Sequence, residues 1–114
     1  MIEQCAFGSM VINQRTYASD LMIFPDGRVM DNWRRVAGHR LAWADIEELV
    51  ACEPDVIVAG TGIYGLMRLK RDLVQMLTAR GIELVSARTR TAAKEFNRLN
   101  QTTKKVAACF HLTC

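Results

Sequence analysis

Apolar residues along this chain fall into short blocks, and the spacing inside the blocks changes part-way along. From Ile2 to about Val29 the blocks are a few residues long, rich in β-formers, and broken at Gly8, Asn13-Gln14, Ser19-Asp20 and Pro25-Asp26-Gly27. Short strands are predicted there. Proline fixes φ and glycine accepts positive φ, so Leu21 to Phe24 should enter a tight reversal and return from Arg28 to Met30. The polar segment with Trp33, Gly38 and His39 has no usable period, and no element is predicted for it.

From about Ala44 to Cys52, Ile46, Leu49 and Val50 recur at three and four residues, which predicts a helix with one buried face. Asp45 favours its start and Pro54 bars its continuation. Asp55 to Ala59 is apolar and β-branched, the pattern of a central strand buried on both faces. A second helix is predicted from about Lys70 to Arg80, with Leu73, Val74 and Leu77 inward and Gly81 as its C-terminal cap. Ile82 to Ser86 reads as the next strand. Thr91 is the expected cap of a third helix reaching about Gln101, with Ala92, Phe96 and Leu99 inside and Lys94 and Arg98 outside. Val106 to Leu112 reads as a last buried strand. This order implies a right-handed parallel crossover between the strands at 55–59 and 82–86. The result is an α/β core with a β-rich N-terminal layer.

Composition narrows the class. The chain has 114 residues, 50% hydrophobic and 24% charged, enough to bury roughly two thirds of its unfolded surface in one domain over 1–114. Repeats, low-complexity tracts and linkers are absent from it. Val56-Ile57-Val58-Ala59 and Val106-Ala107-Ala108-Cys109-Phe110 fall far short of the roughly 20 apolar residues of a membrane span. With no basic, apolar leader at the N-terminus, a soluble cytoplasmic protein is expected. The net charge of +3 is unevenly placed. After Ile57, Arg68, Lys70, Arg71, Arg80, Arg88, Arg90, Lys94, Arg98, Lys104 and Lys105 face only Asp72, Glu83 and Glu95. A basic second half suits an anionic ligand or an acidic partner.

Cys5, Cys52, Cys109 and Cys114 are scattered, so reduced thiols are expected. Cys109, His111 and Cys114 match no common zinc spacing, and neither metal nor cofactor is expected. Gly60-Thr61-Gly62-Ile63-Tyr64-Gly65 follows a strand and fits the dinucleotide fingerprint, with Glu83 near the ribose position. Against that reading, about fifty residues precede the strand, no helix opens at the glycines, and Glu83 falls early in its strand. A looser version keeps both loops at the carboxyl ends of the strands. There Gly60, Thr61 and Gly62 would offer backbone amides and Arg88 and Arg90 guanidinium groups to a carboxylate or phosphate, with Tyr64 beside them. Nucleophiles exist in Cys109, Cys114, Ser86 and Thr61, and bases in His39 and His111, but no motif links them. No catalytic residue is assigned, and His111 reads as a hydrogen-bonded structural residue. Aromatic residues are 7% of the chain, too few for stacking platforms, and nucleic acid is not an expected partner.

Phe7-Gly8-Ser9-Met10-Val11-Ile12, Phe24-Pro25-Asp26-Gly27-Arg28-Val29, Gly38-His39, Pro54 to Gly65 and Val106 to Cys114 carry a resemblance over essentially the whole chain. They resemble the small uncharacterised α/β family of DUF498 type, shared by bacteria, archaea and mitochondria. Its animal members include a mitochondrial respiratory complex I assembly factor and an adipogenesis-associated protein. The resemblance implies a three-layer domain with a central mixed sheet and two or three helices. It supplies no catalytic residue. It implies a non-catalytic interaction or assembly-assisting domain with a protein partner; the alternative is a small anionic-metabolite-binding protein or enzyme with its pocket at the Gly60-Thr61-Gly62 and Arg88-Thr89-Arg90 loops.

Overall fold

The computed structural model describes residues 1–114. Strands β1 (Ile2–Ala6), β2 (Ser9–Ile12) and β3 (Arg15–Tyr17) form an antiparallel meander. Its second turn puts Asn13 and Gln14 at φ of 48° and 70°, and the Glu3 carboxylate accepts both of their amides. Strands β4 (Leu21–Ile23) and β5 (Val29–Met30) follow, joined through Pro25-Asp26-Gly27 with Gly27 at φ 91°. Beyond them the chain runs through β6 (Arg40–Leu41), a 3-10 turn at Trp43–Asp45 and helix α1 (Glu47–Val50). Strand β7 (Val56–Thr61), strand β8 (Arg68–Leu69), helix α2 (Leu73–Ala79), strand β9 (Glu83–Ala87), helix α3 (Thr89–Asn100) and strand β10 (Val106–His111) complete the chain.

The central sheet has the order β5-β4-β10-β7-β9. Strands β10, β7 and β9 are parallel, and β4 runs antiparallel to β10, so the sheet is mixed. Side chains of its inner strands alternate between two cores. Val56, Val58, Val106, Ala108 and Phe110 pack with Met10 and Ile12 of the meander and with Ala92, Phe96 and Leu99 of α3. Ile57, Ala59, Ala107 and Cys109 pack on the other side with Ile46, Leu49, Leu73, Leu77 and Trp33. Burial on both faces is why β7 and β10 read as continuous apolar runs. Three layers result, and no helix is long and apolar enough to cross a membrane.

Several boundaries depart from expectation. The first helix is broken into a 3-10 turn and a single α turn, because the Asp45 carboxylate is held by the Val36 and Ala42 amides. The third helix starts at Thr89, with Arg88 and not Thr91 at its cap. Thr89 is drawn inward, where its hydroxyl donates to the His111 carbonyl and accepts the Gly62 amide. Thr91 is left exposed. Strand β7 runs two residues past Ala59, so Gly60 lies inside a strand. The unassigned polar segment forms a strap that buries Trp33 and then pairs Arg40–Leu41 with β8 in parallel.

Candidate functional site at the carboxyl ends of the strands

Gly60 is paired with Ala87, so the two loops named from sequence do meet at one end of the sheet. The glycines there answer to packing. A Cβ on Gly60 would stand 2.5 Å from Phe110 Cδ1 and 2.9 Å from Thr89 Oγ1. Gly62, at φ 108°, passes so close to the Cys114 backbone that no side chain fits. The amides of this turn are engaged within the protein: Gly62 donates to Thr89 Oγ1, Ile63 to Thr113 O, Gly65 to Gly62 O, Leu66 to Cys114 O and Met67 to Thr61 O. The Thr61 hydroxyl donates to Ala87 O. Of the six residues placed at this site from sequence, only Arg90 lines a surface groove, one of about 320 Å³ between β1 and α3.

The same end carries an apolar rim. The β1–β2 turn is fastened to the end of β10 by the Gly8 amide, which donates to Leu112 O at 2.8 Å. Phe7 at that turn lies 5.8 Å, centroid to centroid, from Tyr64 in the loop after β7. Phe7, Tyr64 and Leu66 remain 54%, 59% and 54% exposed. The Arg88 stem packs over Gly65, whose missing Cβ would lie 3.0 Å from Arg88 Cγ. Arg90 reaches the Cys5 carbonyl at 3.4 Å. Phe7 carries no signal in the sequence, since nothing local brings residue 7 to residue 64.

On the other face of β10 lies a cluster that local pattern does not reveal. Asp20 Oδ2 accepts from Arg35 Nη2 at 2.9 Å and His111 Nδ1 at 2.8 Å, while Oδ1 accepts the Leu112 amide at 2.8 Å. Arg35 stacks on Trp33 with Cζ 4.8 Å from the ring and donates from Nε to Gly38 O. The strap from Trp33 to Arg40 is thus tied to β10 from within. His111 is the hydrogen-bonded residue expected from its apolar strand; Asp20 and Arg35, 91 and 76 residues away, are partners that the sequence pattern does not point to.

The chain matches, over residues 2–111, the family described as protein of unknown function (DUF498/DUF598). It belongs to the DUF498/DUF598 family. Among solved structures, it is similar over its full length to the conserved hypothetical protein PH1505 from Pyrococcus horikoshii OT3, at 27% identity, TM-score 0.89 and 99% of that chain. A protein titled MT938 matches with 27% identity and TM-score 0.85, covering 100% of this chain and 98% of that one. A Bordetella pertussis protein described as an Mth938-like domain shares the fold at 19% identity and TM-score 0.67, over 98% of this chain and 85% of its own.

In this DUF498/DUF598 chain the titrating groups separate clearly. Burial would raise the pKa of Asp20, but hydrogen bonds from His111, the Leu112 amide and Arg35 outweigh it and hold the carboxyl below its ordinary range. Burial pushes the Cys109 thiol up to about 12, so it stays protonated at neutral pH and is a poor nucleophile. The Cys5 thiol is also raised by burial, partly offset by Arg90. All four cysteines are free. His39 stands edge-on to His111 with ring centroids 5.7 Å apart.

Proposed function

We propose that this chain is a non-catalytic interaction or assembly-assisting domain, acting in the cytoplasm, whose docking face is the apolar rim at the carboxyl end of the central strands. One observation carries the reading: Phe7 and Tyr64, far apart in sequence, stand side by side at 5.8 Å and stay more than half exposed, as does Leu66 two residues on from Tyr64. Clustered exposed apolar groups mark partner surfaces, and aromatic and arginine side chains dominate binding hot spots. The Arg88 and Arg90 guanidinium groups flank the rim without a carboxylate partner among the ion pairs of the chain. The occupant is accordingly a segment of another protein with an apolar anchor and flanking Asp or Glu residues. Docking is favoured over turnover because the Cys109 thiol is held protonated and the Thr61 hydroxyl is engaged by Ala87 O.

Selection from a displayed peptide library tests this. The enriched peptides should combine an aliphatic or aromatic anchor with acidic neighbours, and Tyr64→Ala or Arg88→Glu should each weaken them by about tenfold or more while the folded spectrum is unchanged. Enrichment of basic peptides, or affinity indifferent to both substitutions, contradicts the reading.

A second reading, a small anion between the Gly60-Thr61-Gly62 and Arg88-Thr89-Arg90 loops, draws on the pairing of Gly60 with Ala87. The turn's amides being engaged, Arg88 and Arg90 would do the holding. Inorganic phosphate at a hundred times its dissociation constant would add about 2.7 kcal/mol of stability, lost in Arg88→Ala. An unchanged melting temperature would count against it.

A further inference from the structure

We propose that the groove between β1 and α3 binds a small organic carboxylate, held by Arg90, Lys94 and the Cys5 amide, with its apolar body on Ile2 and Ala93. The groove holds about 320 Å³ and is lined by β1 from Ile2 to Cys5 and by Arg90, Ala93, Lys94 and Asn97 of α3. That volume is at the small end of ligand sites. No residue of the Gly60-Thr61-Gly62 turn or of the Phe7–Tyr64 pair lines it, and the site does not rest on the docking reading.

The register of the meander turns the Cys5 peptide groups toward this groove. The tight turn at Asn13-Gln14, both at positive φ, makes Ile12 and Arg15 a hydrogen-bonded pair, so Val11, one residue back, points its own groups at β1. Val11 is matched with Gln4, and the pair after it, Cys5 with Met10, is of the kind without hydrogen bonds between the strands. Cys5 N–H and C=O therefore face away from β2, to the open edge. The Arg90 side chain agrees with that direction, since its Nε donates to Cys5 O at 3.4 Å. Further along the edge Asn97 takes both peptide groups of Ile2, and the strand is irregular between Ile2 and Gln4. The edge left open is too short for an added strand and suits a small group.

Charge selects the ligand. Arg90 and Lys94 stand one turn apart on the same face of α3, and neither takes part in an ion pair. Glu3, the one carboxylate of the lining, is occupied at the far turn of the meander by the amides of Asn13 and Gln14. Both cations are left uncommitted. Burial raises the Cys5 thiol, with Arg90 offsetting part of the rise, so at neutral pH the thiol is uncharged and does not repel an anion. A carboxylate accepts several donors at once, and charge-assisted bonds to guanidinium and ammonium groups are the strong ones.

The floor decides what the anion carries. Ile2 and Ala93 are buried members of the core beneath the meander, so the base of the groove is apolar and firmly held. A ligand with an apolar body covers that base and gains by removing it from water, whereas a bare inorganic anion leaves it wet.

The test titrates the intact, nitrogen-15-labelled chain with sodium benzoate, beside arms with benzamide, inorganic phosphate and sodium chloride, all at one ionic strength. Benzamide has the shape of benzoate without its charge, and phosphate has charge without the ring. Benzoate should give saturable amide shifts at Cys5 and Ala93 with a Kd of about 1 mM or below. Benzamide and phosphate should each bind about tenfold more weakly or not at all. Lys94→Glu reverses one charge at an exposed position and should weaken benzoate by about tenfold. Benzoate shifts no larger than those with chloride, or benzamide or phosphate binding as well as benzoate, would overturn the proposal. So would shifts centred on Gly60 to Gly62 instead of Cys5, or an affinity unchanged in Lys94→Glu. Should Lys94→Glu not fold, the wild-type shift map and the benzamide and phosphate arms decide.

Discussion

Gly60 and Asp20 each hold a position that no other residue type fills at the same cost. A methyl group on Gly60 would press on Phe110 Cδ1 at 2.5 Å and on the Thr89 backbone at 3.2 Å, and neither neighbour is a flexible tip. Gly60→Ala is therefore expected to lower unfolding stability by about 1–3 kcal/mol, read from the denaturant midpoint. A midpoint equal to wild type would show that the glycine is not a packing requirement. Asp20 sets an acid limb. Its carboxyl, partly buried but bonded by His111, the Leu112 amide and Arg35, titrates lower in the folded chain than in the unfolded one. The stabilisation is complete above the unfolded value of about 3.9 and is lost as the pH falls through the lower folded value. Wild type should lose stability between about pH 4 and pH 2 more steeply than Asp20→Asn. Equal slopes would mean that the cluster contributes nothing.

At the level of elements, the start of the meander is tied to α3 by Asn97, beside the contacts that Arg90, the Gly8 amide and the packed Met10 and Ile12 make elsewhere along it. Asn97 accepts the Ile2 amide at Oδ1 and donates from Nδ2 to the Ile2 carbonyl, both at 2.8 Å, in the place of a neighbouring strand. Asn97→Ala should cost about 1–2 kcal/mol and raise hydrogen exchange at Ile2 while β7 and β10 stay protected. Unchanged exchange at Ile2 would contradict this. What depends on period and turn chemistry is legible in the sequence: the Pro25-Asp26-Gly27 reversal, the two-sided strands β7 and β10, and the inner face of α3. Contacts between distant residues are not. Thr89 and Thr91 resemble caps equally well, and only the position of the Gly62 amide draws Thr89 inward. The strap has no period to read because the grip on it comes from Asp20 and Asp45, not from its own pattern.

For the molecule as a whole, the two cores and the exposed rim make separable predictions. Cys109 lies inside the sheet and its thiol is pushed up to about 12, whereas Cys5, Cys52 and Cys114 are partly exposed. Alkylation of the native chain should spare Cys109 until it unfolds. Labelling of Cys109 at the rate of the others would show that the sheet opens locally. Of the candidate site, the meeting of the two loops is legible from strand order, and the engagement of the turn's amides is not. The rim itself needs tertiary structure, since Phe7 and Tyr64 follow strands of separate sheets. The most direct test is in-cell photo-crosslinking from a probe at position 64, with position 74 as an exposed control on α2. The account predicts a discrete adduct from position 64 alone, mapped to an acidic segment with an apolar anchor and lost when Arg88→Glu is added. No adduct from position 64, the same adduct from both positions, or one indifferent to Arg88 contradicts it.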